Sequence, residues 1–415
     1  MVKNKLEIGI FSAMYSQMNG LAHGVRFLSD AIAKLGHDVH IFAPCIQDGY
    51  KKPKTLHFHD IGGVQIGHKT QFVLTVPIHK IFLCQEDYLD IAHIHTHATV
   101  GAMAINWAKY LGIPMIGSHH SPMQFYTAQY IPIFGKLMAK NDFIWRYERQ
   151  ILDKYDLVHV PTKTKKELLL KYRFKEPIIA LNTGIPDFYF KTLKQNGIRE
   201  KYNLGDKKVL LYASRLSPEK HPIRVIKAFR EIHKQVPDSH LMLVGSPGPS
   251  TDAVEKIVKK RKYRDFISYE GRVPFDDLLK LYNTVDLTCL WSWVEAEGLV
   301  LAEAMAQGTP SVGANGCGIA NIIRHGVTGY LANNLEQFNE YVIKLLKDDD
   351  LREEFGKNAK KIAENYRIEK VAKTWVQIYK FTIDELYPLR YHREERRQRV
   401  NLLKEFIQQF PNVYF

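Results

Sequence analysis

Twice along this 415-residue chain, apolar runs of strand length alternate with amphipathic stretches of helix length, and between the two series the periodicity lapses. The first series opens with a strand-like run, Leu6 to Phe11. A polar, glycine-containing loop to Gly24 follows, then an amphipathic helix to Leu35 and a second strand, Val39 to Ala43. The pattern returns at Ile91 to His95, a helix from Val100 to Leu111, a strand at Met115 to Gly117, a long helix before Tyr155, and strands at Leu157 to Val160 and Ile178 to Leu181. From Asn182 to Asp206 the sequence becomes turn-rich and then charged, as an interdomain linker does. The second series has strands at Val209 to Ala213, Leu241 to Val244, Phe266 to Tyr269, Leu287 to Leu290 and Ser311 to Val312, with helices such as Ile223 to Gln235 between them. Strands alternating with helices imply parallel sheets, so the chain reads as α/β with two successive Rossmann-like halves.

Hydrophobic residues make up 45% and charged residues 25%, which suits a globular protein with a sizeable core and excludes a disordered or fibrous one. Cys45, Cys84, Cys289 and Cys317 are scattered, without Cys-x-x-Cys spacing, so neither a zinc ribbon nor a disulfide framework is indicated and a reducing cytosol is expected. The amino-terminal apolar stretch is too short for a signal peptide, and no run of 18 or more apolar residues exists to span a bilayer. Any membrane contact is therefore expected to be peripheral. Lys and Arg exceed Asp and Glu by 58 to 44, and the resulting +14 attracts anions such as phosphates, nucleic acid or an acidic lipid leaflet.

The residues that carry chemistry cluster in the second series. In the stretch from Glu295 to Pro310, two carboxylates, Glu295 and Glu303, straddle a loop-to-helix junction. Gly298 permits close backbone approach, and the amides of Leu299 and Val300 at the helix start would point towards an anion such as a diphosphate. Glu303, about one turn in, can accept hydrogen bonds from ribose hydroxyls. Upstream, Arg215 and Lys220 directly follow a strand, where an α/β sheet opens its ligand crevice.

Arg215 with Lys220, and Glu295 with Glu303 followed by Ala-Met-Ala-x-Gly-Thr-Pro, resemble the signature of glycosyltransferase family 4. The likeness continues through Gly271 to Asp286, similar to the family's nucleotide-base region and including Val273, and through Gly326 to Leu331, similar to its glycine-containing turn. In the first half, Asn19-Gly20 resembles the family's glycine loop, with one of the usual two glycines missing. His120 stands where the family has the histidine of its Tyr-His-Thr motif, here preceded by His119 instead of Tyr. The stretches Asp90 to Gly101 and Gly112 to Ser121 are similar to the branch that glycosylates diacylglycerol and related membrane lipids.

The resemblance implies a GT-B fold, with two Rossmann-like domains, an interdomain cleft that opens and closes, and carboxy-terminal crossover helices. The expected organisation is an acceptor-binding domain over 1–183, a nucleotide-sugar domain over 184–365, and crossover helices with a basic amphipathic tail over 366–415. It further implies a retaining hexosyl transfer from a nucleotide-sugar, UDP-glucose or UDP-galactose in the first place, to a membrane lipid, by a metal-independent enzyme seated at the inner face of the cell membrane. His120, Glu295, Arg215 and Lys220 would be catalytic. Gly20, Arg215, Lys220, Val273, Glu295, Gly298, Leu299, Val300 and Glu303 would bind the donor, with His97 and Ser121 on the acceptor side. No cofactor is implied beyond the nucleotide-sugar substrate. GDP-mannose, or a soluble sugar or phospho-sugar acceptor, is the alternative within the same class, and Glu297, where the family has a neutral residue, bears on the sugar.

Other readings attach to other residues. His93, His95 and His97 alternate and, with His119 and His120, could ligate the metal of a hydrolase, but no acidic ligand sequence follows and the second half of the chain would be unexplained; the preferred reading has His93 and His95 as packed or hydrogen-bonded strand-end histidines, with His97 and His120 lining the cleft. The run Lys163 to Lys175 is strongly basic but carries no nucleic-acid motif; it reads as a helix whose cations could meet anionic lipid. The apolar, aromatic stretch Pro122 to Phe134 suits a lipid acceptor or a buried cap. Tyr387 to Phe415 carries Arg390, Arg393, Arg396, Arg397 and Arg399 ahead of Val400, Leu403, Phe406, Ile407 and Phe410, an amphipathic helix that either packs on the body or lies on a membrane.

Overall fold

The computed structural model describes residues 4–15, 19–44, 53–65, 73–74, 88–97, 99–120, 143–174, 177–191, 197–390 and 396–414. The chain forms two compact units, Met1–Gly184 with Ile368–Phe415, and Ile185–Arg367. It therefore passes between units twice, at Gly184 and again at Arg367.

In the first unit the strands are β1 (Glu7–Phe11), β2 (Asp38–Ala43), β3 (Leu56–Asp60), a short pair β4 (Val64–Gln65) and β5 (Val73–Leu74), then β6 (Ile91–Ile94), β7 (Met115–Ser118), β8 (Leu157–Val160) and β9 (Ile178–Leu181). The second unit contributes β10 (Lys208–Ala213), β11 (Ser239–Val244), β12 (Ile267–Tyr269), β13 (Leu287–Leu290), β14 (Ser311–Ala314) and β15 (Gly329–Ala332), and β16 (Val413–Tyr414) returns to the first unit. The sheet orders are β16-β9-β8-β7-β6-β1-β2-β3 and β12-β11-β10-β13-β14-β15. Both are parallel except where β16 pairs antiparallel with β9. The central strands β8 and β13 are buried along their whole length, and β1 all but its Glu7, so they read as largely apolar runs, as strands covered by helices on both faces do. The covering helices are one-sided: Pro222–Gln235 buries Val225, Ile226, Phe229 and Ile232, a spacing of one helical face.

The differences from the sequence reading are local. The first helix spans Gly20–Lys34 instead of starting after Gly24, because the Asn19 side chain caps it by accepting from the Ala22 amide at 2.9 Å. Gly24 sits inside that helix, where a Cβ would lie 2.4 Å from Thr183 Cγ2. The expected linker holds a short turn, Asp187–Phe190, and a helix, Ile198–Lys201, both of which belong to the second unit. The carboxy-terminal helix Arg396–Ile407 packs on the first unit through Leu403 and Ile407. Part of the basic tail is structural: Arg399 is buried and donates to the Asp156 carbonyl at 2.7 Å, and Arg390 donates to the Lys154 carbonyl at 2.9 Å. Likewise Lys165 and Lys166, in the middle of the basic run, are buried and do not form an exposed cationic face.

Candidate active site

In the second unit β10 is the first strand, and the chain proceeds to β11 and β12 on one side, then to β13, β14 and β15 on the other. The strand order therefore reverses between β10 and β13, and loops leaving adjacent carboxyl ends there splay apart to leave a ligand crevice. Arg215 and Lys220 follow β10, Gly245 follows β11, Val273 follows β12, and Glu295 to Val300 follow β13.

The β10 loop is held from within. Arg215 Nη2 lies 3.1 Å from Glu219 Oε1, which also accepts from the Ser217 hydroxyl at 2.5 Å. The Lys220 ammonium pairs with Glu295 across the switch point, and the Lys220 carbonyl accepts from the Tyr212 hydroxyl at 3.0 Å. Burial lowers the Lys220 ammonium to about 8; Glu219 opposes that shift and Arg215 adds to it. At neutral pH the group is a cation, paired with Glu295 and also favoured by the Glu219 charge.

Gly298 precedes the helix Leu299–Ala306 in the left-handed region, at φ 92°, and no side chain caps this terminus. The amides of Leu299 and Val300 thus carry the open positive end of the helix. The Glu295 to Gly298 loop is pinned by the Gly318 amide, which donates to the Glu295 carbonyl at 3.0 Å. A Cβ at Gly318 would lie 2.4 Å from the Glu297 backbone, so only glycine allows this approach. Glu297 itself is buried.

Glu303 is buried on the same helix. It accepts from the Tyr282 hydroxyl at 2.9 Å, and the Tyr189 phenol acts on the same carboxyl. Burial raises its carboxyl to about 7 while the two phenols pull the other way. Val273 is half-buried against the core in the loop entered at Gly271, φ 66°.

Several of these features escape sequence reasoning. Gly245 and Gly248, in the Gly-Ser-Pro-Gly-Pro run after β11, let that loop touch the β10 loop: a Cβ at Gly245 would lie 1.9 Å from the Ser214 carbonyl oxygen. A glycine pair directly after a strand was the available signal. Glu219 stands beside two cations in sequence, whereas Tyr189 and Tyr282 reach Glu303 only through the fold.

In the first unit the histidines share the carboxyl edge of β6 and β7 but not one centre. His93 bonds the Tyr379 hydroxyl and Ser118 Oγ, each at 2.7 Å, so both ring nitrogens are used. His95 Nδ1 lies 2.9 Å from His120 Nε2, His97 Nδ1 lies 2.9 Å from the Tyr155 hydroxyl, and His119 Nε2 lies 3.2 Å from Glu148 Oε1. Among the described residues no group of three or more His, Cys, Asp or Glu side chains is arranged to hold a metal ion. The hydrolase reading of His93, His95 and His97 is corrected accordingly: alternation along the strand gives each ring a separate hydrogen-bond partner. Burial drives these imidazoles towards the neutral form, with His97 at about 3 and His159 at about 4. His120 and Gly24 line one small cavity, which places His120 beside the helix that begins at Gly20. Ser121 and the Pro122 to Phe134 stretch lie outside the described residues.

Comparison with known proteins agrees with this architecture. The profile described as Glycosyltransferase Family 4 matches residues 18–187, and that described as Glycosyl transferases group 1 matches residues 194–362. The chain belongs to glycosyltransferase family 4. It is 27% identical over 393 residues to an N-acetyl-alpha-D-glucosaminyl L-malate synthase of Bacillus anthracis, covering 90% of this chain and 97% of that one. It is 25% identical over 396 residues to the alpha-monoglucosyldiacylglycerol synthase of Acholeplasma laidlawii, covering 92% and 98%. Among solved structures, Anabaena HepE in complex with UDP and glucose superposes with a TM-score of 0.72 at 17% identity, covering 90% of this chain and 99% of that one. The fold of this family 4 member is GT-B, and its activity is glycosyl transfer from a nucleotide-sugar.

Proposed function

We propose that this family 4 enzyme transfers a hexose, with retention of anomeric configuration and without a divalent metal, from UDP-glucose or UDP-galactose to a membrane lipid such as diacylglycerol. The observation that carries the donor side is the convergence of Arg215, Lys220 and the uncapped Leu299–Val300 helix start on one switch point of one sheet. As the bond from the anomeric carbon to the diphosphate oxygen breaks, negative charge grows on the phosphate, and these preset donors stabilise it. That is the role a divalent ion fills in other phosphate-leaving reactions. The acceptor oxygen bonds to the anomeric carbon on the face the diphosphate leaves, and its proton passes to a phosphate oxygen. Glu295, held by Lys220, orients sugar hydroxyls; Glu303 accepts from the ribose; Val273 borders the base. The family resemblance assigns the first unit's Gly20 to the phosphates, His120 to the sugar, and His97 and Ser121 to the acceptor.

The lipid acceptor is supported by the diacylglycerol-glucosylating relative and by the basic charge of +14, which favours an anionic membrane surface. Among the described residues no helix is long and apolar enough to cross a membrane. One observation favours a second reading: the similarity to an N-acetyl-alpha-D-glucosaminyl L-malate synthase supports a soluble acceptor bearing a carboxylate or phosphate. A panel of radiolabelled UDP- and GDP-sugars incubated with the protein, chelator and total membrane lipid tests both. Label in the organic phase from one donor supports the lipid reading and names the sugar. Transfer only to small anions added in a parallel panel moves the acceptor to the second reading, and loss of all transfer with chelator refutes metal independence.

A further inference from the structure

Glu303 is surrounded by a frame built from its own helix and the turn that follows. Gln307, one helical turn further on, donates through Nε2 to the carbonyl of Tyr189, and Thr309 donates through Oγ1 to the carbonyl of Tyr282. The element that carries the carboxyl therefore also fixes the backbones of the two residues whose phenols meet it. Both rings are buried, Tyr189 at 3% and Tyr282 at 0% exposure, so neither phenol has water as an alternative partner. Tyr282 spends its one hydrogen on Glu303, and the Tyr189 phenol acts on the same carboxyl.

A carboxylate offers about four lone-pair sites. One is occupied by the Tyr282 phenol, and the direction of those that remain is fixed because the carboxyl cannot rotate without breaking a bond that nothing replaces. We propose that Tyr189 and Tyr282 are positioning residues, which hold the Glu303 carboxylate so that its remaining lone pairs form a preset pair of acceptors for a vicinal diol, the ribose of the donor nucleotide. This rests on the reading of Glu303 as the ribose acceptor.

The arrangement also sets the charge. Burial alone favours a neutral acid, whose protonated oxygen accepts poorly, whereas the two phenols favour the anion. The groups acting on this carboxyl among the described residues are these two tyrosines and its own burial. The long helix Asp349–Ala363, which packs on the Glu303 helix, buries Phe355, Gly356, Ala359 and Ala363, none of them titratable. With the carboxyl at about 7, ionisation is poised at neutral pH, and losing one phenol moves it higher.

The test is titration calorimetry on the full chain with UDP, GDP and their 2′-deoxy forms as probes, at about pH 7, where the Glu303 carboxyl is poised, and about pH 8.5. The proteins are the wild type, Tyr282→Phe and Tyr189→Phe, each with its melting temperature. Each Phe variant is expected to weaken the preferred ribonucleotide about tenfold at neutral pH, the size of one hydrogen bond to a charged group. The 2′-deoxy form should weaken roughly threefold or less, and the loss of ribonucleotide binding should shrink at pH 8.5, where Glu303 is ionised regardless. Equal weakening of ribo- and deoxynucleotide at both pH values would mean that the tyrosines only support the fold, and would overturn the proposal while leaving the donor reading intact. Failure of the wild type to bind either ribonucleotide would overturn the donor reading, and the proposal with it.

Discussion

Replacing Glu303 by Gln should make the second unit's stability less dependent on pH, and the structure gives the size of the change. The carboxyl ionises at 4.5 in a solvated chain and at about 7 when folded. Between those values the native protein keeps a proton that the unfolded chain has released, so stability falls as pH rises across this window. Below it the acid is neutral in both states, and above it the full cost of burying the anion is present. At 1.36 kcal/mol per pH unit, the cost grows by about 2.5 kcal/mol between pH 5 and 8. Gln keeps the shape and an acceptor oxygen but never ionises, so its advantage over Glu should increase by that amount across the interval. Hydrogen exchange read by mass spectrometry on peptides from β13 and the Leu299–Ala306 helix reports the local opening free energy without requiring the whole chain to unfold in one step. Comparing variant with wild type at each pH cancels the other titrating groups. A difference that stays within about 0.5 kcal/mol at both pH values would refute the claim that Glu303 is buried with a raised pKa; the resolution follows from ordinary additivity errors.

The first unit should respond in the opposite sense. Its buried histidines are held neutral, so the unfolded chain binds more protons below pH 6.5, and His159, at about 4, alone should cost about 3 kcal/mol by pH 4; acid titration followed by exchange of β6, β7 and β8 amides checks this. Gly245→Ala forces its Cβ into the Ser214 carbonyl and should displace the loop carrying Arg215, weakening UDP or GDP binding at least tenfold by calorimetry while costing roughly 1–3 kcal/mol of stability. Arg215→Ala and Glu295→Ala should each reduce turnover by roughly 10²–10³ with melting temperature changed by a few degrees at most, since each is placed at the crevice and not in the core; a large fall in melting temperature with turnover retained would assign them to the fold. Leu403→Ala, at a fully buried position, should destabilise the first unit by about 2–5 kcal/mol, seen as increased exchange in β9.

The strands and the switch-point residues were legible because parallel strands buried on both faces must be written as contiguous apolar runs, and because loops at their carboxyl ends carry ligand-facing side chains. Arg215 and Lys220 were found from their place after β10, and Glu295, Gly298 and Glu303 from the glycine-led helix start. β3, β15 and β16 were not, since Leu56–Asp60 is half polar, Gly329–Ala332 opens on glycine, and Val413–Tyr414 is two residues long. The tyrosines on Glu303 and the partners of the histidines were illegible for a different reason. Each is joined to its partner by tertiary packing alone: His93 meets Tyr379, and Tyr189 meets Glu303, across most of a unit's sequence. The histidine alternation read as packed, hydrogen-bonded strand-end residues, as His93 is, because a shared strand face does not give a shared metal centre.

β16 and the helix Ile368–Phe381 complete a unit whose other strands precede the second unit in the chain. On a ribosome, residues 185–367 emerge as one contiguous piece and can fold as soon as they clear the exit tunnel. The earlier 184 residues must wait, with the apolar face that will meet Trp375, Tyr379, Leu403 and Ile407 uncovered until the last segment has been synthesised. The half that comes off the ribosome first is thus the half that finishes last, and its exposure to chaperones and proteases is set by the time needed to make the other.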